Sequence, residues 1–302
     1  MKHAILGPGG VGGLMGACLA KTGASVTMVV RPHALEHYPR QLQFENQFGN
    51  FTVPIERTSQ VPPVDVLWIT VKAPQLEAAL RSIPAADTAG AIVPLLNGID
   101  HVALLRSRYG TDRVFPATIA VESERVAPGH FVRRSPFCRL SVIGRAKSLL
   151  GGTLEQLHTL HFNCPFVEDE ATLLWGKLAF LAPIALTTTA AGATTGQVAA
   201  DPHRREQLES CVREACAVAT ADGAQVDPNV GIAAFRSLPA GMRSSMQKDV
   251  EQGKPPELDA IAGPIVRGAA RYGISVPVTQ SLVEAVAQKA GLPADLRLNV
   301  LD

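Results

Sequence analysis

Apolar residues in the first half of the chain come in short, near-continuous runs at 3–6, 26–30, 64–71, 91–96 and 114–121. Runs this apolar suit parallel strands covered on both faces. Between them the spacing turns helical. Val11, Leu14, Met15, Cys18 and Leu19 share one helix face ahead of Lys21-Thr22-Gly23, where Gly23 is placed for a C-cap. Further helical patterns lie at 75–80 and 101–106. Strand and helix in alternation predict a doubly wound, mostly parallel sheet.

The pattern changes after Val121. Segments 130–134 and 138–143 read as antiparallel additions at the sheet edge, 154–160 as a helix and 164–167 as a last strand. From Glu168 the chain is helical and rich in Ala, with periodic apolar positions through 173–189, 206–221, 232–236, 260–270 and 280–290. The expected class is therefore α/β followed by all-α, with domains at 1–168 and 169–302.

Composition narrows the function. An apolar content of 46% against 18% charged residues supports buried cores and argues against disorder. A net charge of +1 leaves no basic footprint for nucleic acid. The five cysteines (Cys18, Cys138, Cys164, Cys211, Cys216) lack metal spacing and read as free thiols of a reducing compartment. Met1-Lys2-His3, an apolar stretch and Ala17-Cys18-Leu19-Ala20 have the outline of a secretion signal, but the glycines between them make that the poorer reading, and the nearest candidate span, 178–186, is shorter than the ~18 residues a membrane needs. A soluble, cytoplasmic protein is expected, and the Ala-rich helical half suits a homodimer interface.

The chemistry starts at Gly7-Pro8-Gly9-Gly10-Val11-Gly12, between the first strand and the first helix. In a G-x-G-x-x-G turn the first glycine permits the turn, the second lets a pyrophosphate reach the backbone, and the third lets helix and strand close up. The helix N-terminus then faces the phosphates. A selective NAD site ends the second strand with a carboxylate, but here the chain reads Val30-Arg31-Pro32. A guanidinium can bind a 2′-phosphate bidentately, so NADPH is expected over NADH, with Arg31 as its reader. Lys72 and Asn97 each end a predicted strand and are expected in the same crevice.

In the helical half, Lys177 lies in the apolar stretch Trp175-Gly176-Lys177-Leu178-Ala179. An ammonium there has its pKa lowered, as suits a general acid, unless the side chain snorkels to water. Glu257 and Asp259 follow Pro255-Pro256, where carboxylates also complement a helix dipole. Ser244 and Gln247 have capping-box spacing.

Taken together, these pieces resemble the ketopantoate reductase (2-dehydropantoate 2-reductase) family: the glycine turn, Arg31, Val71-Lys72-Ala73, Asn97-Gly98, Trp175 to Ala179, Ser244-Ser245-Met246 with Asp249, Glu257-Leu258-Asp259 with Gly263, and Tyr272-Gly273-Ile274 before Val276-Pro277. The resemblance implies a Rossmann domain with a helical domain, and hydride transfer from NADPH to a 2-oxo acid in pantothenate biosynthesis. It implies Lys177 as general acid, Glu257 as second catalytic residue, Ser245 on the substrate carboxylate, and Asn97 between nicotinamide and substrate. Arg31 and Lys72 would hold the 2′-phosphate.

One departure stands out. The family's two substrate-binding asparagines, four and eight residues after the lysine, are Leu181 and Ala185 here. An apolar wall cannot reward a substrate hydroxyl, so the expected reaction is reduction of a more apolar 2-oxo acid, or of ketopantoate to pantoate poorly. Two other readings fit the residues: another hydroxyacid dehydrogenase of the same plan, and a non-catalytic NADPH sensor. Lys177 together with Glu257 speaks against the sensor.

Overall fold

The computed structural model describes residues 1–84 and 88–292. Its elements run β1 (Lys2–Leu6), α1 (Gly10–Lys21), β2 (Ser25–Val29), α2 (Pro32–Leu35), β3 (Gln41–Glu45), β4 (Phe51–Pro54), β5 (Glu56–Thr58), β6 (Val64–Ile69), α3 (Leu76–Leu80), β7 (Ala89–Pro94) and α4 (His101–Tyr109). Then follow β8 (Ala117–Ala120), β9 (Ser123–Ala127), β10 (His130–Arg133), β11 (Arg139–Ile143), α5 (Lys147–His158) and β12 (Phe166–Val167). The remainder is helical: α6 (Glu170–Ala191), α7 (Thr195–Ala200), α8 (Pro202–Ala221), α9 (Pro228–Arg236), α10 (Ser245–Glu251), α11 (Leu258–Tyr272) and α12 (Pro277–Lys289). Packing groups these into two units. One is Met1–Leu96 with His101–Leu173, and the other is Asn97–Asp100 with the chain from Leu174 onward.

The first unit is built on the expected parallel sheet, in the order β5-β2-β1-β6-β7. Alternate residues of each strand enter opposite cores. Ala4, Leu6, Leu67, Ile69 and Ile92 pack on one face, while Ile5, Val66, Trp68, Ala91 and Val93 pack on the other. Coverage on both faces is why these strands read as continuous apolar runs. β1 lies between β2 and β6, so the chain reverses its direction of sheet growth there, and the carboxyl ends of all three strands are neighbours.

Several sequence expectations need correction. The run 114–121 is not a further parallel strand of the main sheet. Only Val114 bridges to Ile92, and β8 pairs antiparallel with β11 in a separate sheet with β12. Nor do 130–134 and 138–143 extend the main sheet edge. β10 belongs to a four-stranded sheet ordered β4-β3-β10-β9, and β11 to the β8 sheet. The strands β3 and β4 alternate apolar and polar residues over too short a span to form a run, and β9 is almost wholly exposed. Among the described residues, α6 is the one helix long and apolar enough to cross a membrane, with 67% of that window buried in the protein. Lys177 and Thr187 interrupt its apolar run, which is how a helix of this length escaped the count of consecutive residues.

The helical unit is tied by polar groups from distant segments. Asp222, after α8, accepts from the indole of Trp175 on α6 (2.8 Å) and from the hydroxyl of Tyr272 on α11. α12 begins at Pro277 without a local side-chain cap. Glu214 of α8 caps it instead, accepting from the backbone of Val278 (3.0 Å) and Thr279 (2.7 Å).

His3 is a polar group in the sheet core, 1% exposed, and its Nδ1 accepts from the indole N–H of Trp68 at 3.2 Å. That role requires the neutral ring. Burial, aided by the N-terminal charge, pushes its pKa down to about 4. The unfolded chain therefore takes up this proton first, and the stabilisation present above pH ~6.5 is lost as pH falls toward 4, by at most about 1.4 kcal/mol per pH unit. Chemical denaturation across this window should show the wild type losing more stability than His3→Gln, which keeps an acceptor but does not titrate. Parallel curves would contradict the buried-histidine account.

Candidate active site

In the first unit, the glycine turn is held as its spacing requires. Gly7 has φ +103°, and a Cβ there would fall 2.6 Å from Val71 Cγ1. A Cβ on Gly12 would fall 2.1 Å from the Gly7 carbonyl oxygen, so α1 can rise from the strand only with glycine at this point. Thr70, at the end of β6, fastens the turn by donating its hydroxyl to the Gly7 carbonyl at 2.7 Å. Gly9 is different: a Cβ there would meet nothing within 4 Å. It is the N-cap of α1 and offers no capping side chain, so the first N–H groups of the helix stay open to an anion. The open space at Gly9, the uncapped helix and the neighbouring cations together fit a dinucleotide phosphate group. Arg31, exposed, follows β2, and Lys72, exposed, follows β6, on opposite sides of β1.

β9, unmarked in the sequence pattern, also packs on this loop. Ser123 donates to the Gly10 carbonyl at 2.9 Å, and a Cβ on Gly10 would fall 2.0 Å from the Ser123 carbonyl oxygen. Arg125 lies two residues on and donates to the Pro8 carbonyl at 3.4 Å. A polar, exposed strand gives no periodic signal by which this contact could have been foreseen.

In the second unit, three of the expected residues meet. Lys177 of α6 donates from Nζ to Oδ1 of Asn97 at 2.9 Å, and Nδ2 of Asn97 donates to Oε2 of Glu257 at 3.2 Å. The amide can face only one way, because an ammonium has only donors and a carboxylate only acceptors. Asn97 thus separates a cation and an anion that it bonds to both. Glu257 is buried and sits at the N-cap of α11. Lys177 is half-buried, and loss of water around its ammonium pulls its pKa down to about 8, against the opposing pull of the Glu257 carboxylate.

The Asn97-Gly98 turn is seated by backbone fit. Gly98 has φ +83°, and a Cβ on it would lie 2.2 Å from the Ala260 carbonyl oxygen. Pro264 lies inside α11 and has no N–H, so it leaves that same carbonyl without its helical donor. Glycine is needed here for close approach as well as for the turn.

The other expected residues are less closely joined. Leu181 is half-buried and Ala185 is covered, at 1% exposure. Ser245 is exposed as the first residue of α10, after the N-cap Ser244. Ser244 shares a hydrogen bond of 2.9 Å with Thr188 of α6. Thr188 stands three turns beyond Lys177 and nearly in line with it, about 16 Å along the helix. No direct contact joins Ser245 to Lys177 among the described residues.

Two family models match this chain: "Ketopantoate reductase PanE/ApbA" over residues 3–140 and "Ketopantoate reductase PanE/ApbA C terminal" over residues 171–290. The chain belongs to the ketopantoate reductase family. A 2-dehydropantoate 2-reductase of Caulobacter vibrioides is 33% identical, over 96% of this chain and 99% of that protein. Among solved structures, a ketopantoate reductase of Ralstonia eutropha superposes with a TM-score of 0.84 at 24% identity, covering 96% of this chain and 99% of that one. A D-mandelate dehydrogenase in complex with NADH and anilino(oxo)acetate matches equally well, with a TM-score of 0.84, 21% identity and the same coverage. Both structures share the fold. As a ketopantoate reductase family member, the chain is an oxidoreductase.

The two glycines should separate stability from binding. Gly9→Ala should fold with unchanged stability and lose dinucleotide affinity. Gly12→Ala should be destabilised by about 2 kcal/mol, because a backbone carbonyl must move. Thermal melts beside nicotinamide-fluorescence titrations would show this. Equal melting losses in both would contradict the assignment.

Proposed function

We propose that this enzyme reduces a 2-oxo acid to its 2-hydroxy acid with NADPH, using Lys177 as the general acid. The reading rests on one observation above all: the Lys177 ammonium is held at 2.9 Å by Asn97, which also bonds Glu257, in surroundings that lower its pKa by loss of water. NADPH, when bound, supplies the hydride to the keto carbon. Lys177 gives a proton to the ketone oxygen as negative charge builds on it, and a cation at that point stabilises the transition state more than the ground state. Glu257, through Asn97, keeps the ammonium aimed, and the neutral amine regains its proton from water. Ser245, with its free hydroxyl at a helix start, is the expected partner of the substrate carboxylate.

Arg31 and Lys72 are the residues suited to the 2′-phosphate, and no carboxylate ends β2 to repel it. The free cysteines suit a reducing, cytoplasmic setting.

Leu181 decides the substrate side. It is the more open of the two residues that replace the family's asparagines, and it presents no donor to a hydroxyl. The substrate class is thus a 2-oxo acid with an apolar tail, with ketopantoate the poorer member. The D-mandelate dehydrogenase neighbour bound an aromatic oxo acid on the same fold.

Initial rates of NADPH oxidation with ketopantoate beside aliphatic and aromatic 2-oxo acids test this reading. At least one apolar acid should exceed ketopantoate in kcat/KM, Lys177→Met should abolish turnover while keeping NADPH affinity, and Arg31→Ala should raise KM for NADPH far more than for NADH. Ketopantoate above every apolar acid would overturn the substrate assignment. Silence across the panel would favour a sensor.

A further inference from the structure

We propose that Arg267 is a positioning residue of the active site, a charge clamp that fixes Asn97 against the turn of α11 carrying Glu257; this rests on the catalytic reading above. Its guanidinium is shared between two carboxylates on different segments. Nη2 is 2.6 Å from Asp100 Oδ2, and Nη1 is 2.6 Å from Asp259 Oδ1. Asp100 lies three residues after Asn97, and Asp259 lies two after Glu257. One side chain therefore ties together the two stretches whose side chains meet at 3.2 Å in the relay.

Three features mark this as a built arrangement. The Arg267 guanidinium is 25% exposed and meets each carboxylate at 2.6 Å, while Asp100 (57%) and Asp259 (47%) stay open to solvent, so the clamp acts through its two-point geometry and not through the strength of a buried pair. Asp259, Gly263 and Arg267 follow one another at four-residue spacing on α11, on one helix face. A Cβ on Gly263 would fall 2.6 Å from Nη1 and Nη2 of Arg267 and from Asp259 Oδ1, so glycine clears the path the arginine takes. Beneath the clamp, Gly98 rests on the Ala260 carbonyl that Pro264 leaves open. Shape seats the turn and charge holds it down. A planar fork can hold two carboxylates at once, which a point charge on a lysine stem cannot match.

The consequence is for rate and not for cofactor affinity. Asn97 has to stay within hydrogen-bond reach of both Lys177 and Glu257, and a misplacement of about 1 Å can cost up to ~100-fold in rate. Arg267→Met removes the clamp, and Arg267→Lys keeps one charge. Their effect should pass through Asn97, which a double-mutant cycle with Asn97→Leu reads directly.

Expected is a loss of about tenfold in kcat for Arg267→Met in the Asn97 background, partial recovery in Arg267→Lys, and less than twofold loss in the Asn97→Leu background. Affinity for NADPH, measured by fluorescence, should change by no more than about twofold when Arg267→Met is introduced into either background. The Asn97 side-chain amide signal in NMR, identified by its absence in Asn97→Leu, should shift or broaden in Arg267→Met. The same fold-loss in both backgrounds with an unmoved amide signal would overturn the clamp and leave the catalytic reading standing. A wild type inert toward every 2-oxo acid, with an amide signal that still moves, would overturn the catalytic reading and leave the clamp.

Discussion

One side-chain amide, that of Asn97, joins the two ionisable groups on which the proposed chemistry rests. It accepts from the Lys177 ammonium and donates to the Glu257 carboxylate, at 2.9 and 3.2 Å. A direct ion pair would keep the lysine firmly protonated and its charge neutralised. A neutral amide between the two keeps the groups apart, so dehydration of the ammonium outweighs attraction to the carboxylate and the pKa falls to about 8. A lysine poised there is protonated at physiological pH and still gives its proton up readily.

Much of the local structure serves to keep that amide in place. The chain leaves β7 and turns at Asn97-Gly98, and these residues pack as part of the second unit. Gly98 is fitted to an open carbonyl on α11, Pro264 opens that carbonyl, and Gly263 makes room for Arg267 to reach Asp100. In the first unit the glycine turn follows the same logic: Gly7 and Gly12 are demanded by contacts, whereas Gly9 faces open space.

How much of this the sequence revealed followed from the physics of each signal. Strands buried on both faces read plainly, as did the long helices of the second half. The three-glycine turn was legible because each glycine answers a separate steric demand. Strands β3, β4 and β9, half-buried or exposed, had no apolar run to announce them, and the contact of Ser123 and Arg125 with the glycine loop went unseen with them. Lys177, Glu257 and Asn97 were named from their surroundings and from a resemblance. The hydrogen bonds that join them span 80 and 160 residues, and no local pattern records such a meeting. Arg267 was passed over for the same reason: its role exists only once Asp100 is beside it.

The pH dependence of kcat/KM for 2-oxo acid reduction tests the central claim most directly. Lys177 must be protonated to act, so the account predicts a plateau at neutral pH and a single basic limb near pH 8, falling about tenfold per unit above it. A limb near the ordinary lysine value of about 10.4, or a profile flat through pH 9, would contradict it.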